Sequence, residues 1–419
     1  DYVILSNEIS SEKIISLIRP DFYFKGPDYK DNKHDLTKKI FKEKKSVVRN
    51  GGKIIYTSTI KFSSSSLIKN YLGIFSDQQK KEIGQIKKKF SFNKIKLFIA
   101  KAKDIKPLII GETIIDQYYF TEAIGKSGKE PVLVLRELNN EKYLGGALAI
   151  CNHLNSIVKK MFFLSYLGEN KELQTFIKKN ISNSIYPYFI YKKNSPTIVK
   201  KRFVDELSKA KVLGSYKLND SPIEKAEENK LFKFFKKCEK KSDLIIISDY
   251  GHGLMNSSLI EKIKKTKKFI AVNAQVNSSN IGYHSLRNYK GVDCMIINEN
   301  ELRYEMRSKN EKLENLMKKL KNDLNIKNLI VTRGSSGVAM LNYQLKFVYC
   351  EAYAKKVIDK VGAGDSMLAI LSLLIFLKVE SKLSLFIASL CAAQKVSNIG
   401  NKYAIDKNQL LKEIEHIIS

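Results

Sequence analysis

The run Asp359-Lys-Val-Gly-Ala-Gly-Asp365 is followed, after one serine, by the mostly apolar stretch at 367–377. Its glycines let the backbone turn sharply and approach a ligand. The apolar stretch predicts a buried helix whose N-terminus falls at 362–365. Free N–H groups and the positive end of the helix dipole make that a site for phosphate. Asp365 then has two readings. As structure, it caps the helix and Gly-Ala-Gly is an ordinary turn. As chemistry, its carboxylate is a base acting on a hydroxyl beside the phosphate being transferred.

Other polar clusters fall where apolar strands end. Asn298-Glu-Asn-Glu301 follows CMII. Asn298 and Glu301 either hold waters on Mg²⁺ beside a triphosphate or form a capping box. Thr332, Arg333 and Gly334 follow NLIV, and a glycine turn with a guanidinium there suits nucleotide phosphates. Asp249-Tyr-Gly-His-Gly follows DLIIIS and is a ligand-facing turn or only a turn. Asp116 follows LIIGETII, and Gly145 and Gly146 precede a helix. Each of these three is sugar-facing or structural.

These clusters need a scaffold. From residue 107 onward, short apolar strands alternate with helices, ending in a hairpin before the Gly-Ala-Gly-Asp helix. LIIGETIID reads as one strand leading into a turn, and residues 186–216 read as a strand-rich excursion. This pattern predicts an α/β fold with a doubly wound, mainly parallel sheet. Ligand groups gather at the C-terminal ends of such strands. Residues 1–72 form a separate small α/β unit, with strands at 2–5, 22–24 and 53–57. Residues 73–105 are rich in Lys and Gln and read as a connecting helix or linker, leaving 106–419 as the large domain.

Bulk composition narrows the class. A length of 419 residues fits two domains, and 43% hydrophobic residues supports a large core. The net charge of +31 invites a nucleic-acid reading. Only 8 of the 74 basic residues are Arg, however, and the lysines are spread along the whole chain. Nucleic-acid surfaces favour clustered Arg, so nucleic acid is not the expected partner. The five Cys and five His have no metal-ligand spacing, which points to reduced thiols, no structural zinc and a cytoplasmic protein. No apolar run reaches the length of a membrane span. The chain starts at Asp1 within an apparent strand, so an upstream segment is expected.

Taken in order, the Gly-Gly pair, Asn298–Glu301, Thr332-Arg-Gly and Asp359–Asp365 resemble the ribokinase-like (PfkB-type) carbohydrate kinases over about 107–419. That resemblance implies a sheet of about nine strands, a small β lid supplied by 186–216, ATP and Mg²⁺. It makes Asp365 the catalytic base and the backbone of Gly362, Ala363 and Gly364 the anion hole. Asn298 and Glu301 would lie near Mg²⁺, held through water, with Thr332, Arg333 and Gly334 near the nucleotide.

The segments at Asp116-Gln-Tyr, Pro131-Val, Lys200-Lys-Arg202, Ser248-Asp-Tyr-Gly and Val272-Asn-Ala-Gln resemble the heptose-7-phosphate kinases, which phosphorylate an anomeric hydroxyl. Lys200, Lys201 and Arg202 would then bind the substrate's phosphate, or be an exposed basic strand. Asp116, Gly145, Gly146 and Asp249 complete the implied sugar site, and a homodimer through the lid is implied. Three residues depart from the family pattern. Glu112 stands for Asp, Ala149 for an Asn after the Gly-Gly pair, and Lys360 for Thr.

Residues 19–29, 51–53 and 62–66 resemble the second half of a sugar-phosphate nucleotidyltransferase. Its Lys25-Gly26 turn and the serines at 63–66 would cradle a triphosphate, or the serines only cap a helix. The HxGH motif of that superfamily is absent, and His34 cannot replace it, so 1–72 alone is expected to transfer no nucleotide. A kinase for another sugar or nucleoside, and a degenerate kinase serving as a scaffold or nucleic-acid binder, are the competing expectations.

Overall fold

The computed structural model describes residues 11–25, 39–56, 75–276, 280 and 284–418. They form two compact units, one of residues 1–81 with Leu411–Ile417, the other essentially 82–410.

In the first unit, β1 (Phe22–Lys25) and β2 (Lys53–Tyr56) pair in parallel, with Phe22 opposite Lys53. A parallel pair needs a crossover, and the helix Lys39–Arg49 lies within it. Ile15, Ile40 and Val47 are among its buried apolar residues. Glu43 is buried among them and accepts from Lys25 Nζ at 2.7 Å. The expected strand at 2–5, Gly26, His34 and the serines at 63–66 lie outside the described residues.

The second unit is built on a nine-stranded sheet. Its strands are β3 (Pro107–Gly111), β6 (Met161–Leu167), β7 (Ile185–Tyr191), β10 (Leu244–Asp249), β11 (Phe269–Ala274), β12 (Cys294–Asn298), β13 (Asn328–Thr332), β14 (Val338–Leu341) and β15 (Phe347–Cys350). Their order is β15-β14-β13-β12-β11-β10-β3-β6-β7, and only the β13-β14-β15 edge is antiparallel. β3, β6 and β10 are buried along their whole length, which explains their unbroken apolar sequences. The sheet order reverses at β3, so the ends of β3 and β10 flank a crevice.

The lid is a second sheet of β5 (Leu133–Gly146), β4 (Thr113–Lys126), β8 (Ile198–Asp205) and β9 (Lys211–Lys217), in that order. This corrects the expected lid in two ways. β7, at the start of the 186–216 excursion, is the edge strand of the main sheet. Half of the lid comes instead from 113–146, because LIIGETIID is not one strand. The chain leaves the main sheet at Gly111-Glu112 and enters the lid at Thr113.

The segment at 73–105, expected as a connecting helix or linker, is largely helical. It folds as the helices Asp77–Lys89 and Phe92–Lys101, and from Glu82 onward it belongs to the second unit. The buried Glu82 carboxylate accepts from Lys382, the Glu351 N–H and Tyr353. The helix Ala363–Phe376 is buried from Ser366 to Leu374, as its apolar sequence requires. All five cysteines are buried and unbridged. Among the described residues, no helix is long and apolar enough to cross a membrane.

Candidate active site

A cavity of about 750 Å³ opens at the C-terminal ends of the central strands, beneath the lid. The Gly-Ala-Gly-Asp turn forms part of its wall. Gly362 is the residue before the helix, at φ +83°, and no side chain caps it. The capping reading of Asp365 therefore fails on geometry. Its carboxylate accepts instead from the Tyr250 hydroxyl at 2.8 Å. Burial pushes the Asp365 carboxyl up to about 6, with Asp116 adding to the rise; Tyr250, Lys395 and Lys200 oppose it. A carboxylate poised there can accept a proton near neutral pH. The Ala363 N–H reaches Lys360 O at 3.3 Å. The N–H groups of Gly364 and Asp365 have no acceptor among the described residues, as the first turn of a helix dictates.

The sugar-side candidates meet on β4, β5 and β8. Strand alternation turns Lys200 and Arg202 toward the cavity and Lys201 away, over the Tyr119 ring. Arg202 donates to one oxygen of Asp116, and Asn401 Nδ2 donates to the other at 2.9 Å. Arg202 is thus committed to Asp116. Lys200 is 7% exposed and forms no ion pair among the described residues. Its ammonium faces the rings of Tyr216 and Tyr250 at 5.3 and 5.7 Å. Burial pulls its pKa down, partly offset by Asp116. Gly146 lines the cavity, whereas Gly145 lies behind Asp116. A Cβ at Gly145 would sit 2.1 Å from Asp116 Oδ2, so only glycine leaves that carboxylate its place.

Asn298, Glu301, Thr332, Arg333, Gly334 and Lys360 all line the other half of the same cavity. Asn298 and Glu301 form a reciprocal capping box, with bonds of 2.9 and 2.7 Å. The second Glu301 oxygen accepts from the Val276 N–H at 3.2 Å. Burial pushes Glu301 up to about 7. With both oxygens taken, Glu301 is not built to bind a cation directly, though its remaining lone pairs can accept from water. Arg333 Nε donates to Glu299 at 3.1 Å. No cluster of three His, Cys, Asp or Glu side chains suited to a metal occurs among the described residues.

Asp249 does not join this site. It is 1% exposed, accepts from Tyr289 at 2.6 Å and from the Gly251 N–H at 2.9 Å, and braces the turn after β10. Glu112 explains its own departure from the family pattern. From the end of β3, its fully buried carboxylate reaches the N–H groups of Tyr250 and His252 at 3.0 and 3.1 Å. It thereby holds the backbone that carries Tyr250. Burial and Asp249 push its carboxyl up.

The site residues missed in sequence are Tyr250, Tyr216, Asn273, Glu299 and Asn401, which line the cavity. Tyr250 sat inside a segment already singled out; Asn401, in the loop after the helix Ser381–Val396, carried no local signal.

A lidded, doubly wound sheet with a carboxylate at the start of a buried helix defines the ribokinase-like kinases as a fold class. Thermotoga maritima ribokinase superposes with a TM-score of 0.57 at 15% identity, covering 74% of this chain and 99% of that one. Escherichia coli phosphofructokinase-2 in complex with fructose-6-phosphate gives 0.57 at 13% identity, covering 74% and 98%.

The chain belongs to the pfkB family of carbohydrate kinases, whose profile matches residues 105–408. It is accordingly a sugar kinase, a phosphotransferase with a hydroxyl acceptor. The bifunctional protein HldE of Campylobacter jejuni strain RM1221 is 28% identical over 307 residues. That match covers 73% of this chain and 63% of the relative. HldE of Helicobacter pylori strain ATCC 700392 / 26695 is 28% identical over 314 residues, covering 71% and 64%. The chain therefore spans less than two thirds of these relatives.

Proposed function

We propose that this kinase transfers the γ-phosphate of ATP to the anomeric hydroxyl of heptose 7-phosphate, giving the 1,7-bisphosphate and ADP. One observation carries the choice of a phosphorylated sugar. Lys200 is a buried ammonium in the cavity wall that forms no ion pair among the described residues, and the carboxylate that offsets its burial most, Asp116, is already paired with Arg202. A buried cation is costly unless an anion meets it, and a substrate phosphate supplies that anion. Similarity to HldE and the heptose-kinase-like segments support the seven-carbon sugar.

In this reading Asp365 removes the hydroxyl proton, and the oxygen attacks the γ-phosphorus in line with the leaving ADP oxygen. The turn at 362–365 donates backbone N–H groups to the phosphoryl oxygens. Asp116, fixed by Arg202 and Asn401, orients the sugar. Thr332, Arg333 and Gly334 face the nucleotide. Asn298 and Glu301 would meet the waters of a Mg²⁺ arriving with ATP, which would supply neutralisation of phosphate charge.

Assay of ADP release over heptose 7-phosphate, fructose 6-phosphate, ribose, fructose and adenosine tests the assignment. Heptose 7-phosphate should give the highest kcat/KM. Preference for an unphosphorylated acceptor would overturn it.

Two parts of this reading reach beyond the cavity. The outer lid strands expose Leu133 and Leu213 at 53% and 57%, a surface suited to a homodimer. Light scattering of Leu133→Asp/Leu213→Asp checks this; an unchanged mass would exclude it. Residues 1–72 are read as part of a sugar-phosphate nucleotidyltransferase, whose substrate this kinase would supply. The parallel β1–β2 pair is consistent with such a unit.

A further inference from the structure

We propose that Lys395 is a fixed internal cation that holds the phosphate turn and balances the charge arriving there. This inference rests on the kinase reading above and adds a positioning residue to it.

Lys395 lies near the end of the helix Ser381–Val396 and is 3% exposed. A lysine so buried is costly unless something requires its charge. Its Nζ donates to the carbonyl of Gly400, which is neutral. It forms no ion pair among the described residues. Its place explains the need. A Cβ built on Gly362 would lie 2.6 Å from Lys395 Cε and 3.4 Å from Nζ. The lysine therefore packs against the back of the turn whose front faces the cavity. Gly362 lacks a side chain, and that is what allows the approach.

Five charged or titratable groups face the ammonium. Asp116 comes from β4, Asp359 and Asp365 from the phosphate turn, Lys211 from β9, and His153 from the helix Ala147–Leu154. Most are already committed. Asp359 pairs with Lys211 and Asp116 with Arg202. His153 Nδ1 accepts from the Ile405 N–H at 3.3 Å, and burial, helped by Lys395, pulls the ring down to about 3. His153 is thus neutral and adds no cation. Asp365 and an incoming phosphoryl group remain as the charges that Lys395 can balance.

The segment that carries Lys395 also reaches the sugar side. Asn401 Nδ2 holds Asp116, while its Oδ1 lies 2.5 Å from where a Gly362 Cβ would be. Lys395 touches neither substrate. It acts through the turn and through the field at a water-poor site, where a fixed charge is felt strongly.

The test compares wild type with Lys395→Met and Lys395→Gln. Gln keeps a donor for Gly400 but carries no charge. Both variants should lower kcat about 10-fold or more, with the KM for sugar changed less. Both should move the acid limb of kcat/KM upward by roughly half to one pH unit, because Asp365 loses a stabilising cation. Lys395→Gln, with a thermal midpoint near that of wild type, separates this loss from misfolding.

Calorimetric titration with ATP and with ADP gives a readout that needs no turnover. The preference for ATP over ADP should fall several-fold in both variants. Restoration of kcat, acid limb and ATP preference by Gln would show that Lys395 serves only as a hydrogen-bond donor, and the inference would fail. Wild type that binds ATP but phosphorylates no sugar would instead sink the proposed substrate, leaving the ATP-to-ADP ratio to decide on Lys395.

Discussion

Tyr250 donates its hydroxyl to Asp365 at 2.8 Å across 115 residues of sequence. The bond joins the turn after β10 to the first turn of the buried helix. Glu112 secures one end by holding the Tyr250 N–H, and the helix secures the other. A carboxylate raised by burial is thus kept in one orientation facing the cavity.

Asp365→Asn removes the proposed base while keeping shape and hydrogen-bonding capacity. Turnover should fall by about 10²–10⁴-fold. The affinity for ATP, measured calorimetrically, should stay within a few-fold of wild type. Near-normal turnover would remove Asp365 from the mechanism.

Tyr250→Phe removes a donor to the ionised form of Asp365. The carboxyl should then titrate higher than its value of about 6. The acid limb of kcat/KM should start near pH 6 in wild type and move to higher pH in the variant. Full activity should return on the alkaline side. An unmoved limb would mean that another group controls it.

Lys200→Met should separate phosphorylated from unphosphorylated acceptors. The KM for the sugar phosphate should rise about 10-fold or more, since a charge-assisted contact is lost. Activity on any unphosphorylated sugar should change little. Equal losses on both would contradict the phosphate subsite.

Stability should depend on pH in a way that reveals the site. Burial raises Asp365 and Asp249 to about 6 and Glu301 to about 7. Unfolded carboxyls titrate near ~4. Between these values the folded state holds more protons, so these three groups make stability fall as pH rises from about 4 to 7. Asp359 works oppositely. Burial would raise it, but Lys211 and the N–H groups of Val361 and Gly400 more than offset that, and its pKa is depressed. Its contribution is present above about 4 and lost as pH falls through its folded pKa. Asp365→Asn should therefore be more stable than wild type at pH 8, by roughly 1–2 kcal/mol, and equal to it near pH 4. Calorimetric melts at the two pH values check this; a variant no more stable at pH 8 would argue against a strained Asp365.

The main sheet was legible because its buried strands are unbroken apolar runs, and most site candidates sat where those runs end. The lid was misplaced for a local reason. Gly111-Glu112-Thr113 interrupts the apolar run between Leu108 and Asp116 so briefly that one strand with a polar break and an exit from the sheet look alike in sequence. Asp249 illustrates the opposite error. A polar residue at a strand end can face the ligand or brace the turn, and here Tyr289 and Gly251 engage it.

By itself, the sequence determined the class of fold and the glycine turn at 362–365 with the carboxylate at the start of its helix. Those are properties of contiguous residues, where glycine, an apolar helix and an acidic side chain act within a few peptide units. Only the tertiary structure decided what surrounds Asp365. Tyr250 reaches it from the turn after β10, Arg202 is spent on Asp116, Lys200 forms no ion pair among the described residues, and Lys395 lies behind Gly362. Hydrogen bonding and burial set those roles, and both depend on neighbours that the chain brings together only when folded.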